Sequence, residues 1–317
     1  MRRCWMAAAL LSVLGGRLLQ AATFTLEKNA EGVNVLCDGK LFTRYITKSG
    51  TKPILWPLIG PTGREMTRGY PMREPQGQEK RDHIHHRSLW FNHGDVNGIS
   101  FWDETSQGHG RIDHVEYLTL TEGTHATIRT RNEWKAPDDR VVCTDERTMI
   151  FDADDRTRWI DFRVTVTAPQ GPVVFGDTKE GSFGIRVGGG LPVDLNAGGK
   201  ITNSDGLVDD ETWGKRAAWV DYSGRIDGQV VGIAILNHPE SLRFPTYWHV
   251  RTYGLFAANP FGIRDFLGQP DADGSLTLAT GDSFSLYYRV ILHTGDAAAG
   301  QIAEAFDRYA RESVMVQ

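Results

Sequence analysis

The chain has 317 residues, of which 40% are hydrophobic, 24% charged and 10% aromatic, enough apolar side chain for a sizeable core and incompatible with global disorder. Its 35 basic and 40 acidic residues give a net charge of −5, which excludes a general electrostatic attraction for nucleic acid or for an anionic membrane surface. Glycine, with 35 residues, exceeds its usual share without any repeat period and fits a fold of many turns, hence of many strands.

At the N-terminus Arg2 and Arg3 precede an apolar run from Trp5 to Leu14, followed by Leu19-Gln20-Ala21-Ala22. This pattern predicts a secretory signal peptide over residues 1–22, because the apolar run is too short to span a bilayer; a retained anchor is the alternative. Cleavage after Ala22 removes three basic residues and no acid, taking the net charge from −5 to −8. What remains, residues 23–317, reads as one domain in the periplasm or outside the cell, not integral to a membrane. Cleavage also removes Cys4. Cys37 and Cys143 are then equally compatible with one disulfide and with two buried thiols, and no CxxC pair supports a zinc ribbon.

The mature chain reads almost entirely as strands. Asp38-Gly39, Glu122-Gly123 and Asp227-Gly228 are hairpin signals, and each adjoins runs of strand character. In Trp159 to Thr167 and again in Phe284 to Leu292 apolar and polar residues alternate, the period of a strand with one buried face. Val230 to Leu236 is apolar on both faces and should lie between two layers. Near the C-terminus Ile302, Phe306 and Tyr309 fall on one face of a short helix that Asp296 can cap. The fold class is therefore all-β: an antiparallel β-sandwich with a short C-terminal helix packed outside the sheets. The stretch Arg64 to Arg87 is too polar for a core element, and a loop of that length in a compact domain points to function.

Three segments carry chemistry. Four of the ten histidines fall between His83 and His93, in Asp82-His83-Ile84-His85-His86-Arg87 and Asn92-His93-Gly94-Asp95. Imidazoles titrate near neutral pH and serve as general acids or bases on sugar hydroxyls, ring oxygens or α-protons. Alternatively His93 and Asp95, with a distant histidine, could form a divalent-metal site of the facial-triad kind. The pattern His-x-acid recurs at His114/Glu116 and His238/Glu240, so its information content is small. Simple turn histidines are the structural alternative.

The second segment, Gly176 to Arg186, sets Lys179 and Glu180 between glycines, where Glu180 can act as a base and Lys179 as an acid or anion clamp; a solvated surface pair is the alternative. The third, Pro245 to Tyr253, places Tyr247, His249, Arg251 and Tyr253 on one face if extended, a floor suited to a polyhydroxylated or carboxylated ligand. Trp90, Trp102, Trp213, Trp219 and Trp248 could offer stacking surfaces to pyranose rings. GxxxxGK[ST], HExxH and GxSxG are all absent, which argues against nucleotide-driven chemistry and serine hydrolysis.

The strings Asp82-His83-Ile84-His85-His86-Arg87-Ser88-Leu89-Trp90, Asn92 to Gly98, Asp177 to Gly184 and Pro245 to Arg251 resemble those of the bacterial "methane oxygenase PmoA" family, over about Phe24 to Ser313. A membrane oxygenase subunit needs several apolar spans of about 20 residues, and this chain has none after its N-terminus, so no mechanism is carried over from the name. The resemblance implies an exported supersandwich akin to galactose mutarotase, an architecture of epimerases, lyases and glycoside-processing enzymes.

Together these readings describe an exported carbohydrate-active enzyme working on a sugar or uronate by acid–base chemistry. His85, His86 and His249 are the proton-transfer candidates and Glu180 their partner carboxylate. Lys179, Arg251, Tyr247, Tyr253, Asn92, Trp90 and Trp248 are substrate contacts, and Asp95 is the second carboxylate that hydrolysis would want. No cofactor is expected, although a divalent metal is possible; the rival readings are a metal-dependent oxygenase, iron or copper, using His93, Asp95 and one distant histidine, and a non-catalytic carbohydrate-binding protein. The partner is a carbohydrate or another small polar molecule, not nucleic acid.

Overall fold

The computed structural model describes residues 21–314, and within them the segments of alternating apolar and polar residues form strands. The expected signal peptide lies outside the described residues except for its last two positions. In chain order the first strands are β1 (Phe24–Lys28), β2 (Gly32–Cys37), β3 (Lys40–Ser49), β4 (Lys52–Leu55), β5 (Leu89–His93) and β6 (Arg111–Thr121). Next come β7 (Ala126–Lys135), β8 (Val141–Ala153), β9 (Thr157–Thr167), β10 (Val173–Phe175), β11 (Gly181–Arg186) and β12 (Lys200–Asn203). The last six are β13 (Trp219–Ile226), β14 (Gln229–Asn237), β15 (Tyr247–Arg251), β16 (Leu255–Asn259), β17 (Leu276–Leu278) and β18 (Ser283–Thr294). Two short helices, α1 (Ile263–Leu267) and α2 (Ile302–Tyr309), complete the fold.

Two eight-stranded antiparallel sheets pack face to face. The first runs β1-β2-β3-β4-β5-β11-β16-β15, the second β12-β13-β14-β18-β9-β8-β7-β6, and β10 pairs with β17 in a small ribbon. The inner faces supply one continuous core, with Phe91, Phe183, Ile185 and Phe256 from the first sheet meeting Phe162, Ile233, Ile235 and Tyr288 from the second. Each large apolar side chain removed from water here contributes about 1.5–3 kcal/mol. Among the described residues no helix is long and apolar enough to cross a membrane.

The expected hairpins close as positive-φ turns: Asp38 and Gly39 join β2 to β3, and Asp227 and Gly228 join β13 to β14, with φ values of 50°, 71°, 49° and 80°. At Glu122-Gly123 the turn does more than join β6 to β7, because Gly123 exchanges both backbone hydrogen bonds with Phe24 and ties one sheet's edge to the other's. The two-faced strand β14 is flanked by β13 and β18; its Val231, Ile233 and Ile235 enter the main core, while Ala234 and Leu236 meet Ile302 and Tyr309 of α2. One detail departs from expectation. Asp296 accepts from the Ala299 N–H and so closes the turn before α2, whose own N-cap is Gln301 with no side-chain cap. Cys37 and Cys143 are buried free thiols, so the disulfide alternative is not realised.

Candidate active site

A row of residues crosses the outer face of the first sheet in register. Ile54 lies opposite Trp90, Trp90 opposite Gly184, Gly184 opposite Ala257 and Ala257 opposite His249. The middle of the row is small. A β-carbon at Gly184 would come within 2.7 Å of the Trp90 ring, so only glycine lets the indole lie across the sheet there. Over this floor sits Trp102, 3% exposed, with ring centroids 5.4 Å from Trp90, 5.9 Å from His85, 5.6 Å from His86 and 6.4 Å from His249. It is the hub that brings the histidine-rich segment and β15 together.

The segment Arg64 to Arg87 covers this face, and Arg68 organises it. The buried Arg68 guanidinium donates to the carbonyls of Tyr70, Lys80, His83 and His86 and pairs with Asp82. Asp82 also takes Arg186 of β11 at 2.8 Å, and the two guanidiniums with the His83 contact outweigh its desolvation and hold it well below the usual carboxylate range. Above them Tyr253 stacks on His83 at 5.0 Å, His83 on His86 at 4.7 Å and His86 on Trp90 at 5.4 Å. A cavity of about 490 Å³ adjoins the cluster and shares Arg186 and Tyr253 as wall, but the histidines lie beside it.

The ionisable groups fall into distinct environments. His86 is almost fully buried, and its Nδ1 accepts from Arg186 Nη1 at 3.0 Å; desolvation and then the guanidinium push its pKa well below 6.5, so it stays neutral and fixed. His249 resembles it. Its Nε2 accepts from Arg251 Nε at 3.3 Å, which leaves the proton of the neutral ring on Nδ1, 3.9 Å from Glu180 Oε2, and burial followed by Arg251 lowers its pKa to about 3. His85 differs from both, being half-buried with no hydrogen bond from either ring nitrogen among the described residues. Burial, then the Lys52 ammonium, lowers its pKa to about 4, so at neutral pH it is an unprotonated imidazole free to accept a proton. Lys52 is itself completely buried and bonded to Glu104 at 2.5 Å, with Arg87 on the same carboxylate; desolvation brings the Lys52 pKa down to about 8.

Glu180 is about one-third exposed and pairs with Lys179 at 3.4 Å. Its loop is held from several directions. Asp177 accepts from the N–H groups of Arg264 and Gly274, Lys179 N–H donates to Asp265, and Asn259 Nδ2 donates to the Thr178 carbonyl. A β-carbon at Gly94 would meet the Glu180 β-carbon at 2.7 Å, so the β5 turn also bears on this residue. Trp102 Nε1 and His249 Nδ1 are buried without a hydrogen-bond partner among the described residues.

Thus His85, His86, His249, Glu180, Lys179, Arg251, Trp90 and Tyr253 share one face, brought together from three distant segments. Tyr253 does so from the turn after β15, not from the strand as expected. Other expected contacts lie elsewhere. Trp248 points into the main core with its indole N–H on the Ala217 carbonyl, so it presents no stacking surface. Trp90 too is only 1% exposed; it supports His86 and leaves stacking to rings above it. Asn92 bridges Trp90 Nε1 and the Phe101 carbonyl, and Tyr247 stacks on Phe266 at the far end of β15.

His93 faces the core among Phe175 and Phe261, donating from Nε2 to the Gly176 carbonyl at 2.8 Å while Nδ1 meets Ser182 Oγ at 3.2 Å. Neither nitrogen is left for a metal. Asp95 accepts from the Gly98 N–H in a turn and has no ion-pair partner among the described residues. The other His-x-acid pairs have local roles: His114 meets the Tyr45 hydroxyl, and His238 accepts from the Glu240 N–H. Sequence reasoning missed Arg68, Asp82, Arg186, Lys52 and Glu104 as parts of the site. Asp82 and Arg186 stood inside the two charge-rich strings, whereas nothing local marks Lys52 or Glu104.

The profile of a family of unknown function, DUF6807, matches residues 32–307. The chain belongs to that family. The resemblance to the oxygenase-named family goes no further than the strings that carry it. No curated protein matches the sequence. Among solved structures the chain is similar to a galactose mutarotase-like protein from Lactobacillus casei, with a TM-score of 0.34 and 11% identity over 85% of this chain and 100% of that one. It is also similar to an α-galactosidase from Lactobacillus brevis, with a TM-score of 0.36 and 13% identity over 94% of this chain and 43% of that one. A β-arabinopyranosidase gives a TM-score of 0.32 and 9% identity, and there too the chain spans only 38% of the longer protein.

Proposed function

We propose that the outer face of the first sheet is the active site of an exported enzyme that moves protons on a carbohydrate, by epimerisation or elimination. The observation that carries this reading is that His85, an imidazole with no hydrogen bond among the described residues, packs on Trp102, whose neighbour His249 lies 3.9 Å from Glu180. A base needs a free, unprotonated nitrogen, and His85 has one. Glu180 is the second proton-transfer group, with His249 Nδ1 3.9 Å from the carboxylate and Lys179 beside it. His86 and His249 are therefore positioning residues. The aromatic column and the many hydrogen-bonding groups suit a ring carrying hydroxyls. Export rests on the N-terminal segment.

The test is a panel of mono- and oligosaccharides and their uronates, followed by NMR with the mature protein, His85→Gln and Glu180→Gln. The reading expects conversion of at least one saccharide, slowed about 10²- to 10⁴-fold in each variant while binding and thermal midpoint hold. Binding without conversion would make the protein a carbohydrate-binding module instead. No interaction with any saccharide would contradict both.

A further inference from the structure

Matching charges across the site leaves one unmatched. Asp82 is shared by Arg68 and Arg186, Glu104 by Lys52 and Arg87, and Glu180 pairs with Lys179. Arg251 has no carboxylate within 4.0 Å among the described residues. Its guanidinium is held all the same: it lies over the Trp213 ring at 4.8 Å, and its Nε donates to His249. Both ends of the fork, Nη1 and Nη2, make no hydrogen bond among the described residues. A planar guanidinium stacked on an indole, with one edge fixed and the other open, is prepared for a bidentate carboxylate. It stands one residue along the β15 face from His249, and His249 contacts both Trp102 and Glu180.

We propose that the substrate carries a carboxylate and that Arg251 is the residue that selects it, making the substrate a uronate or another sugar acid. This inference rests on the proton-transfer reading of the same face. It also supplies what that reading lacks, a reason for a carbon-bound proton to leave. A hydrogen on the carbon next to a carboxylate can be taken by His85 because its electron pair spreads onto the carboxylate oxygens, where Arg251 compensates the added charge. Return of a proton to the opposite face of that carbon completes an epimerisation. In an elimination the pair instead forms a carbon–carbon double bond as the neighbouring carbon–oxygen bond breaks, and the departing oxygen takes up a proton. Neither course needs an oxidant or a reductant.

The experiment uses matched pairs that differ only in a carboxylate against a hydroxymethyl group: glucuronate with glucose, galacturonate with galactose, mannuronate with mannose, as monomers and as short oligomers. Affinities are measured by calorimetry for the mature protein, Arg251→Gln and Arg251→Lys, with thermal midpoints to establish that each variant is folded. The expected result is at least a tenfold preference for one acid over its neutral partner, abolished in Arg251→Gln and partly kept in Arg251→Lys. Equal binding of acid and neutral sugar, or a preference that survives in Arg251→Gln, would overturn the inference and leave the carbohydrate reading intact. Failure of every pair to bind would remove both.

Discussion

Of the four histidines between positions 83 and 93, three are spoken for. His83 and His86 are part of an aromatic stack, and His93 spends both nitrogens on the segment that carries Glu180. His85 packs edge-on against His83 and His86 but leaves both ring nitrogens without a hydrogen bond among the described residues. Sequence located the cluster but could not rank its members, because ranking depends on which nitrogen meets which partner in three dimensions. Burial of neutral imidazoles also has a consequence for stability. His93 and His249 have ordinary values of 6.5 when unfolded and about 4 and 3 when folded, both lowered first by desolvation. Between those values the unfolded chain takes up protons that the folded chain refuses. Their contribution is therefore fully retained above about pH 6.5 and is lost as pH falls toward 4, with a slope of about 1.4 kcal/mol per pH unit for each histidine. Urea unfolding at pH 7, 5.5 and 4.5 checks this; stability that is flat over the range would show that the two rings are not buried as neutral groups.

At the scale of elements, strands with clear alternation were legible, β9 and β18 above all, as was the two-faced β14. The hairpins at Asp38-Gly39 and Asp227-Gly228 were legible for the same reason: local turn chemistry decides them. The irregular stretch before β5 was legible as a loop, but its role as a cover was not, since the partner of its Arg68 anchor, Asp82, lies 14 residues on and the carbonyls it binds carry no sequence signal. Replacing Arg68 by alanine should cost about 3 kcal/mol, the order expected for removing a buried guanidinium from carboxylate and carbonyl acceptors. It should also free the cover, so that limited proteolysis cuts between Arg64 and Arg87 and saccharide conversion falls even where the protein remains folded. Unchanged stability and an uncut loop would mean that Arg68 does not hold the segment. The C-terminal helix was found by its apolar stripe, while its expected cap went to the preceding turn because Asp296 reaches Ala299 first.

For the whole molecule, the sandwich follows from the number of alternating strands and from the apolar surface on both faces of β14, and both are properties of sequence. Convergence of the site is not. Trp90 and His249 lie in one row because β11 and β16 intervene with Gly184 and Ala257, a consequence of strand order that no local pattern encodes. The same order sends Trp248 inward, one residue from His249, which is why a string rich in aromatic and polar residues divides between core and site. On the proton-transfer reading, His85 and Trp102 form one assembled site with Glu180 and His249. Histidine and indole NMR signals of the mature protein, assigned with His85→Gln and titrated with acid in the presence and absence of the tightest-binding saccharide, test it most directly. The expected result is a His85 midpoint near pH 4, with the His85 and Trp102 signals moving together when saccharide is added. A midpoint near 6.5, unmoved by any saccharide, would contradict it and return His85 to the surface.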